Sequence, residues 1–321
     1  MAGKRPSPSQ RRRQYVAAGW AGVGVLAGLV AVVGVLVWQS GERPPRAVTV
    51  EKALTPRAAE PAPQAGRTPP PDDLLQGGPR AAVIIDDLGN DWSKARLVSD
   101  LPFPVAVAVL PDTPYAERTA RRAHALGKEV LAHMPMQPGD PGITLGTSFL
   151  RLGMGRGELL DTLRANLAAI PHVEGVNNHM GSALTAEAEP MGWVMQALRQ
   201  RGLFFIDSRT TAASQGLDQA RAAGIPSAKR DIFLDHHTDE DYVRGQFRKL
   251  LTRAREQGTA IAIGHPYPNT LKVLRDMLPR ARKHGVRIVP VREVVAVRAR
   301  QQPDGSRLAY HGSDDKQGEQ P

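Results

Sequence analysis

The stretch from Val83 to Gly89 reads VIIDDLG, a short β-branched apolar run that ends in two adjacent carboxylates and a glycine. A run of this length and composition predicts a buried strand rather than a helix. Parallel strands in α/β proteins present polar residues at their carboxyl ends, where the sites of these folds lie. Adjacent strand residues point to opposite faces, so we expect a turn beginning at Leu88 to bring Asp86 and Asp87 together. The alternative is that the two carboxylates form a polar turn and cap the next helix.

The composition of the 321-residue chain excludes some kinds of site. Cysteine is absent, so disulfides and thiolate metal sites are excluded, and a bound metal would use His, Asp, Glu or water. The formal net charge is +10. Five positive charges lie within residues 1–15 before any acidic residue, and the remaining basic excess is scattered over predicted helix faces. Aromatic residues make up 5% of the chain and are not interleaved with the basic ones, so nucleic acid is not an expected partner.

The N-terminal part of the sequence predicts a membrane anchor. Residues 1–15 form a basic cytoplasmic tail, and residues 16–38 form an uncharged apolar run that is long enough to cross about 30 Å of hydrocarbon as a helix. A cleaved signal peptide has a shorter apolar core and a small-residue cleavage site, so we interpret residues 16–38 as a transmembrane signal anchor. The positive flank predicts a single-pass protein of the inner membrane whose C-terminal bulk lies on the periplasmic side.

The rest of the chain divides into a linker, a globular domain and a tail. Residues 39–79 are rich in proline and alanine and residues 298–321 are polar, which predicts an extended linker and a disordered C-terminal tail. Within residues 80–297, amphipathic helices that end in glycine are followed by short apolar strands, as at Gly258 before Thr259–Ile263. Counting the predicted strands gives seven or eight βα units, which predicts an α/β fold of mostly parallel strands in a small or deformed barrel.

Residues capable of acid–base or metal chemistry follow most of the predicted strands. In a parallel barrel these strand ends converge on one face, which would bring three histidines together with aspartate and arginine side chains. Two histidines and one carboxylate are a good ligand set for Zn²⁺ or a similar ion and leave a position open for water. A neighbouring free carboxylate would then act as general base and a histidine across the site as general acid. The segments are Asp86–Asp87, His133–Met136, Asn177–Ser182, Asp207–Thr210, Arg230–Asp235 and Gly264–Pro266.

The sequence motifs at these six segments resemble those of a known family. The segments IIDDLG, HMPM, NNHMGS, DSRT, RDIFLD and IGHP, in this order and spacing, resemble the divergent polysaccharide deacetylase family, which is related to the NodB-type carbohydrate esterases. The resemblance covers about residues 80–297. It implies a deformed (β/α)7 barrel, here preceded by one transmembrane helix, and an activity that depends on a divalent metal ion, with Zn²⁺ as the expected ion.

The resemblance also implies roles for three residues. In NodB-type enzymes one aspartate of an Asp-Asp pair is the catalytic base, and the other binds the metal together with two histidines. A late histidine acts as the catalytic acid. Carried over by position in this sequence, Asp86 becomes the base, Asp87 a metal ligand and His265 the acid.

The two histidine ligands depart from the family pattern. NodB-type enzymes take both from one His-x-x-x-His turn after a single strand, and that spacing is absent here. His133 and His179 follow different strands, and the convergence of the strand ends makes them the expected metal ligands. His236 and His237 adjoin Asp235 and are a rival pair, although adjacent residues rarely aim at one ion.

The remaining polar residues of the strand ends are expected to serve the substrate. Asp207 and Arg209 would orient the base or bind substrate. Asn178 and Ser182 would line the pocket. Asp231, in the following segment, is expected to contact the substrate as well.

These predictions combine into a membrane-anchored, metal-dependent hydrolase that removes N- or O-acetyl groups from an envelope polysaccharide. An alternative from a different class is a catalytically inactive barrel that binds a glycan or an envelope-protein partner. A phosphoester or amide hydrolase that uses the same metal face is a weaker alternative, because phosphate substrates attract more Lys and Arg at the strand ends than Arg209 and Arg230 supply.

Overall fold

The computed structural model describes residues 77–301. The predicted basic tail, the transmembrane anchor at residues 16–38, the linker up to residue 76 and the tail from residue 302 onward therefore lie outside the described residues. Within residues 77–301, no helix has the length and the apolar character that crossing a bilayer requires.

Nine strands of the described part form one sheet in which every pairing is parallel. The order across the sheet is β6-β5-β4-β3-β2-β1-β8-β7, with β9 paired to β1. The strands are β1 (Arg80–Leu88), β2 (Ala106–Val109), β3 (Val130–Met136), β4 (Val173–Met180), β5 (Phe204–Asp207), β6 (Ser227–Lys229), β7 (Ile232–Phe233), β8 (Thr259–Gly264) and β9 (Arg287–Ile288).

The two ends of the sheet path belong to one interrupted strand. β6 pairs with β5 and β7 pairs with β8, and only Arg230 and Asp231 separate them. The Arg230 amide donates to Asp207 O and the Asp231 amide donates to Ile261 O, each at 2.9 Å, so this short link reaches both neighbouring strands. β1 to β5, the split β6/β7 and β8 thus occupy seven positions around a deformed (β/α)7 barrel, and the predicted fold class is confirmed.

Helices follow most of the strands and cover the outside of the sheet. Helices end at glycine as predicted. Gly258 and Gly285 follow helices and have left-handed φ values of 78° and 73°. Short 3₁₀ helices occupy Leu184–Ala186 and Leu278–His284. The α-helices are α1 (Trp92–Ser99), α2 (Ala116–Ala125), α3 (Arg156–Ala168), α4 (Ala188–Gln200), α5 (Gly216–Ala222), α6 (Glu240–Gln257), α7 (Pro268–Met277) and α8 (Val291–Arg300).

The last helix, α8, closes the amino-terminal end of the barrel. Its residues Val291, Val294 and Val295 share one buried cluster with side chains that point into the barrel. These inward side chains include Ala82, Ile84, Ala106, Ala108, Leu131, Phe204, Ile206, Ile261 and Ile263. The helix also continues to Arg300, three residues beyond the expected boundary of the domain at residue 297, because Arg298 is held by an ion pair with Asp231.

Candidate active site

A bulge at the end of β1 brings both carboxylates to the interior. The pairing of β1 with β2 changes register between Ile85 and Leu88, and Asp87 has a φ of 57°, a left-handed conformation that Asp tolerates better than most non-glycine residues. The expected turn at Leu88 is therefore replaced by a bulge one residue earlier. Strand alternation points Asp86 inward, as it does Ala82 and Ile84, and the bulge turns Asp87 toward the same side.

Three side chains from three strands meet in front of this bulge. Asp87 Oδ1 lies 3.2 Å from His133 Nε2 and 3.0 Å from His179 Nδ1. The two imidazole nitrogens are themselves 3.1 Å apart. β1, β3 and β4 thus each contribute one ligand-type atom to a nearly equilateral triangle. Among the described residues, this is the group of side chains that could hold a metal ion.

The triangle has the dimensions that a divalent metal would require. Metal–nitrogen and metal–oxygen bonds of about 2.0–2.2 Å at tetrahedral or octahedral angles separate neighbouring ligand atoms by about 2.8–3.6 Å. Asp87 Oδ1 is buried and receives no hydrogen bond of acceptable geometry, although buried carboxylate oxygens are normally satisfied. The donor set of two imidazoles and one carboxylate suits Zn²⁺ and related ions. The residues present therefore fit a divalent metal.

Asn177, on β4, orients two of the central side chains. Its Oδ1 lies 3.1 Å from His133 Nδ1 and accepts a hydrogen bond from the protonated Nδ1. The other ring nitrogen, His133 Nε2, then faces Asp87 with its lone pair. Its Nδ2 donates to Asp86 Oδ1 at 2.8 Å. Asn177 is fully buried, so both contacts are made away from bulk water.

His265 stands across the site and is held by a carboxylate. Its Nδ1 lies 2.9 Å from Asp235 Oδ1, and its backbone amide donates to Asp235 Oδ2 at 2.6 Å. Thr270 Oγ1 donates to the same carboxylate at 2.8 Å. This arrangement keeps a proton on Nδ1 and turns Nε2 toward the site, where it lies 3.7 Å from Asp87 Oδ2.

The two adjacent aspartates have opposite electrostatic environments. Burial raises the pKa of Asp86, even though the positive charges of His133 and His265 oppose this. Burial would also raise the pKa of Asp87, but its contacts with His133 and His179 outweigh burial and hold that pKa well below its ordinary value. Two neighbouring carboxyls with pKa values pushed apart are typical of acid–base sites, in which one group exchanges protons and the other stays ionised.

The histidines carry raised pKa values. Burial alone would lower the pKa of His133, but the negative charges of Asp86 and Asp87 raise it. Burial likewise opposes protonation of His265, and its hydrogen bond to Asp235 raises its pKa. Burial and the negative charges of Asp235 and Asp87 raise the pKa of Tyr267, whose ring lies 5.6 Å from that of His265.

Two residues predicted to line the pocket serve the backbone instead. Asn178 follows the inward-facing Asn177 and so points outward, where its Oδ1 accepts from Ser208 N at 2.9 Å and its Nδ2 donates to Met180 O at 2.7 Å. Ser182 Oγ accepts from Gly139 N at 2.8 Å and joins the loops after β3 and β4. Of the adjacent residues Asn177 and Asn178, it is therefore Asn177 that faces the interior of the barrel.

Asp207 and Arg209 shape the loop after β5. Because Ile206 faces the barrel interior, Asp207 faces outward, where it accepts from Arg209 N and from Ser214 Oγ, each at 2.8 Å. Arg209 has a φ of 53° and donates to Ala212 O at 3.2 Å. The expected role of Asp207 in orienting the base is taken by Asn177.

Asp231 lies away from the candidate active site. It accepts from Ile261 N at 2.7 Å and pairs with Arg298 of α8, near the amino-terminal end of the barrel. It precedes β7, whereas Asp235 follows that strand and reaches the carboxyl end. The position of Asp235 after the strand is the sequence signal that could have identified it, just as the alternation along β4 could have identified Asn177.

His236 and His237, the rival ligand pair, are exposed and do not join the triangle. Their rings contact each other, with centroids 4.8 Å apart. His236 also contacts Phe233, and His237 contacts Tyr242. The loop after β7 directs them along the rim, because Asp235 is already turned inward by its bonds to His265.

Comparison with known proteins places the chain in a family. Residues 83–295 match the divergent polysaccharide deacetylase family, and the chain belongs to it. It is 39% identical over 199 residues to the uncharacterized protein YibQ of Escherichia coli K12, a match that covers 62% of this chain and 62% of YibQ. It is 38% identical over 196 residues to an uncharacterized protein of Haemophilus influenzae, covering 61% of this chain and 70% of that protein. The chain thus spans less than two thirds of the length of YibQ.

A solved structure supports the same fold. The crystal structure of the uncharacterized protein ATU2773 from Agrobacterium tumefaciens C58 superimposes with a TM-score of 0.65 at 27% sequence identity. The match covers 68% of this chain and 89% of that protein.

Proposed function

We propose that the chain is a metal-dependent hydrolase that removes N- or O-acetyl groups from an envelope polysaccharide. The observation that carries this proposal is the triangle formed by Asp87 Oδ1, His133 Nε2 and His179 Nδ1, with edges of 3.0–3.2 Å. Family membership supports the substrate class. Zn²⁺ is the ion we expect, because two imidazoles and one carboxylate are a common catalytic zinc set.

The residues around the triangle have different roles in the proposed hydrolysis. A bound divalent ion would supply Lewis-acid polarisation of the acetyl carbonyl and would lower the pKa of water. Asp86, held by Asn177, is placed to take the proton of the attacking water as general base. A carboxyl with a raised pKa suits this role, since it can hold the proton between the two steps.

The leaving group requires a proton from the opposite side. When the bond between the acetyl carbon and the sugar nitrogen or oxygen breaks, the leaving atom takes up a proton and the water oxygen remains in acetate. His265 Nε2 faces the site and can donate that proton, while Asp235 keeps the ring oriented and stabilises its charged form. Asp86 then releases the proton that it took from water, either to solvent or to His265. This returns the site to its starting protonation state.

The location of the activity is part of the proposal. The apolar run at residues 16–38 and its basic flank favour a single-pass anchor in the inner membrane, with the barrel on the periplasmic side. The linker at residues 39–79 would let the barrel reach glycans near the membrane. An envelope protein is a further partner consistent with this placement.

The first test is the metal content of the purified full chain and of Asp87→Ala. We expect near-stoichiometric zinc in the wild type and more than a tenfold loss in Asp87→Ala, because one of three ligands is removed. Acetate release from an acetylated glycan should be lost with the metal. Asp218→Ala is the matched control, since Asp218 is exposed on α5 and forms only a surface ion pair with Arg221.

A different result would redirect the proposal. If the wild type takes up no divalent metal, even after metal is added back, and Asp86→Asn has no measurable effect, the hydrolase proposal fails. The inactive barrel that binds a glycan or an envelope protein would then account for the fold, and the missing His-x-x-x-His turn is the observation that favours it.

A further inference from the structure

A row of rings runs along the rim of the barrel, starting at His265. The ring of Phe233 meets His265 edge-on with centroids 5.4 Å apart, and the ring of Tyr267 is 5.6 Å from that of His265. From Phe233 the row continues to His236 at 6.5 Å. We call Phe233, His236, His265 and Tyr267 the aromatic rim. It is formed by the last residue of β7 and by the loops after β7 and β8, at the carboxyl end of the barrel.

Tyr267 is held rigidly although it is exposed. It stands between Pro266 and Pro268, and its amide donates to His265 O at 2.8 Å. Pro268 is the first residue of α7, so the backbone on both sides is restricted. The residue is nevertheless 38% exposed. A tyrosine ring on a restricted backbone beside a candidate active site is preorganised for contact with a ligand, since little backbone entropy remains to be lost on binding.

The chemistry of the aromatic rim favours a sugar ring. A pyranose presents a flat apolar face of C–H groups and an edge of hydroxyls. The rim offers the exposed ring of Tyr267 next to imidazole nitrogens, whereas the Arg230 guanidinium lies over the partly buried ring of Phe233 at 5.0 Å. The rings are spaced apart and three of the four, His236, His265 and Tyr267, carry polar atoms, whereas a protein partner usually requires a continuous apolar patch. A row of rings that starts at the candidate acid is also positioned to align a polymer with the reacting group.

We infer that the aromatic rim is a subsite for a pyranose unit of the glycan chain, adjacent to the unit that carries the acetyl group. This inference rests on the proposed function, because it takes His265 as the boundary of the reacting centre. Tyr267 contacts the apolar face of the sugar, Phe233 supports the rings of His265 and His236 from the barrel side, and His236 offers hydrogen bonds to the sugar hydroxyls.

The test uses the zinc-supplemented full chain with the tetramer and the monomer of N-acetylglucosamine as probes. We expect Tyr267→Ala to weaken binding of the tetramer about tenfold, which corresponds to about 1.4 kcal/mol, and to change binding of the monomer much less. Tyr267→Phe should retain the affinity, because the ring is kept. Phe233→Ala should weaken tetramer binding in the same direction.

Tyr115→Ala is the matched control, because Tyr115 is 37% exposed and packs against Trp92 instead of His265. Equal tetramer affinities of Tyr267→Ala, Tyr115→Ala and the wild type would overturn the subsite. Absence of tetramer binding by the wild type would overturn it as well. Either result leaves the proposed function to be judged separately by zinc content and by acetate release, which do not depend on the rim.

Discussion

At the scale of single residues, the site depends on backbone conformations that a regular strand would not allow. Asp87 adopts a left-handed φ of 57° within a bulge, and this is what lets it share the interior with Asp86. Conformations of this kind cost about 1–3 kcal/mol and persist where the surrounding structure holds them. Here the neighbouring strand β2 and the contacts to His133 and His179 hold Asp87 in place.

Asn177 provides a prediction at this scale. Asn177→Ala should weaken zinc affinity about 10–100-fold, the usual effect of losing a residue that orients a metal ligand. Asn177→Asp should retain more of the affinity, because a carboxylate can still accept from His133. It should nevertheless reduce acetate release, because it repels Asp86. Zinc affinity is measured by competition with a chelator.

Asn166→Ala is the control for the Asn177 variants. Asn166 is also buried, but it donates to Ser148 O at 2.7 Å and is not in contact with the triangle. The Asn166→Ala variant should have a lower free energy of unfolding than the wild type and an unchanged zinc affinity. If the Asn166 and Asn177 variants weaken zinc equally, the orienting role of Asn177 is wrong.

At the scale of elements, the pairing of β4 with β5 requires a residue without a side chain. A Cβ at Gly175 would lie 2.3 Å from a ring carbon of Phe204 on β5, and Phe204 belongs to the interior cluster that α8 covers. The ring therefore fills the space that a side chain on β4 would occupy. Since β4 also carries Asn177 and His179, this packing sets the position of the site.

Gly175→Ala should lower the free energy of unfolding by about 1–3 kcal/mol, the usual cost of overpacking a core. Gly245→Ala is the same chemical change in the middle of α6, where nothing lies within 4 Å of the added Cβ. It should stabilise the protein by about 0.5–1 kcal/mol, because alanine favours the helix. Chemical denaturation of the two variants would show opposite shifts. Equal shifts would contradict the packing argument.

At the scale of the whole molecule, stability depends on how α8 is attached to the barrel. Glu129, the residue before β3, is buried and accepts hydrogen bonds from the amides of Val291 and Arg292 at the beginning of α8. Burial raises the pKa of Glu129 from 4.5 to about 7, although Arg292 opposes this. The folded state therefore prefers the protonated form of this carboxyl more strongly than the unfolded state does.

This preference predicts the direction of a pH dependence. A folded-state pKa above the unfolded value means that the contribution of Glu129 is fully present below about pH 4.5 and is lost as the pH rises through about 7. At ~1.4 kcal/mol per pKa unit the loss is about 3 kcal/mol. Glu129→Gln should remove this part of the dependence when unfolding is measured from pH 4.5 to 8.

Glu158→Gln, a change of an exposed carboxyl on α3, is the control and should leave the pH dependence unchanged. The prediction for Glu129 is wrong if Glu129→Gln and the wild type lose stability in parallel over this range.

The sequence by itself determined the alternation of helices and strands and the segments that meet at the carboxyl end of the barrel. These features arise from local composition. Glycines at helix ends and short β-branched runs predict them without knowledge of which strands pair with each other. The order of the motifs was enough to indicate the family. His133 and His179, the expected metal ligands, were chosen from this convergence, and the structure brings them within 3.2 Å of Asp87 Oδ1.

Only the tertiary structure decided which polar residue of each segment faces the site. The inward position of Asn177 depends on the register of β4 against its neighbours, and a shift of one residue would have placed Asn178 inside. The choice of Asp235 over Asp231 depends on the split between β6 and β7, which is set by pairing with β5 and β8. Such pairings join residues far apart in the chain, so local patterns offer Asn177 and Asp235 as candidates and the pairings select them.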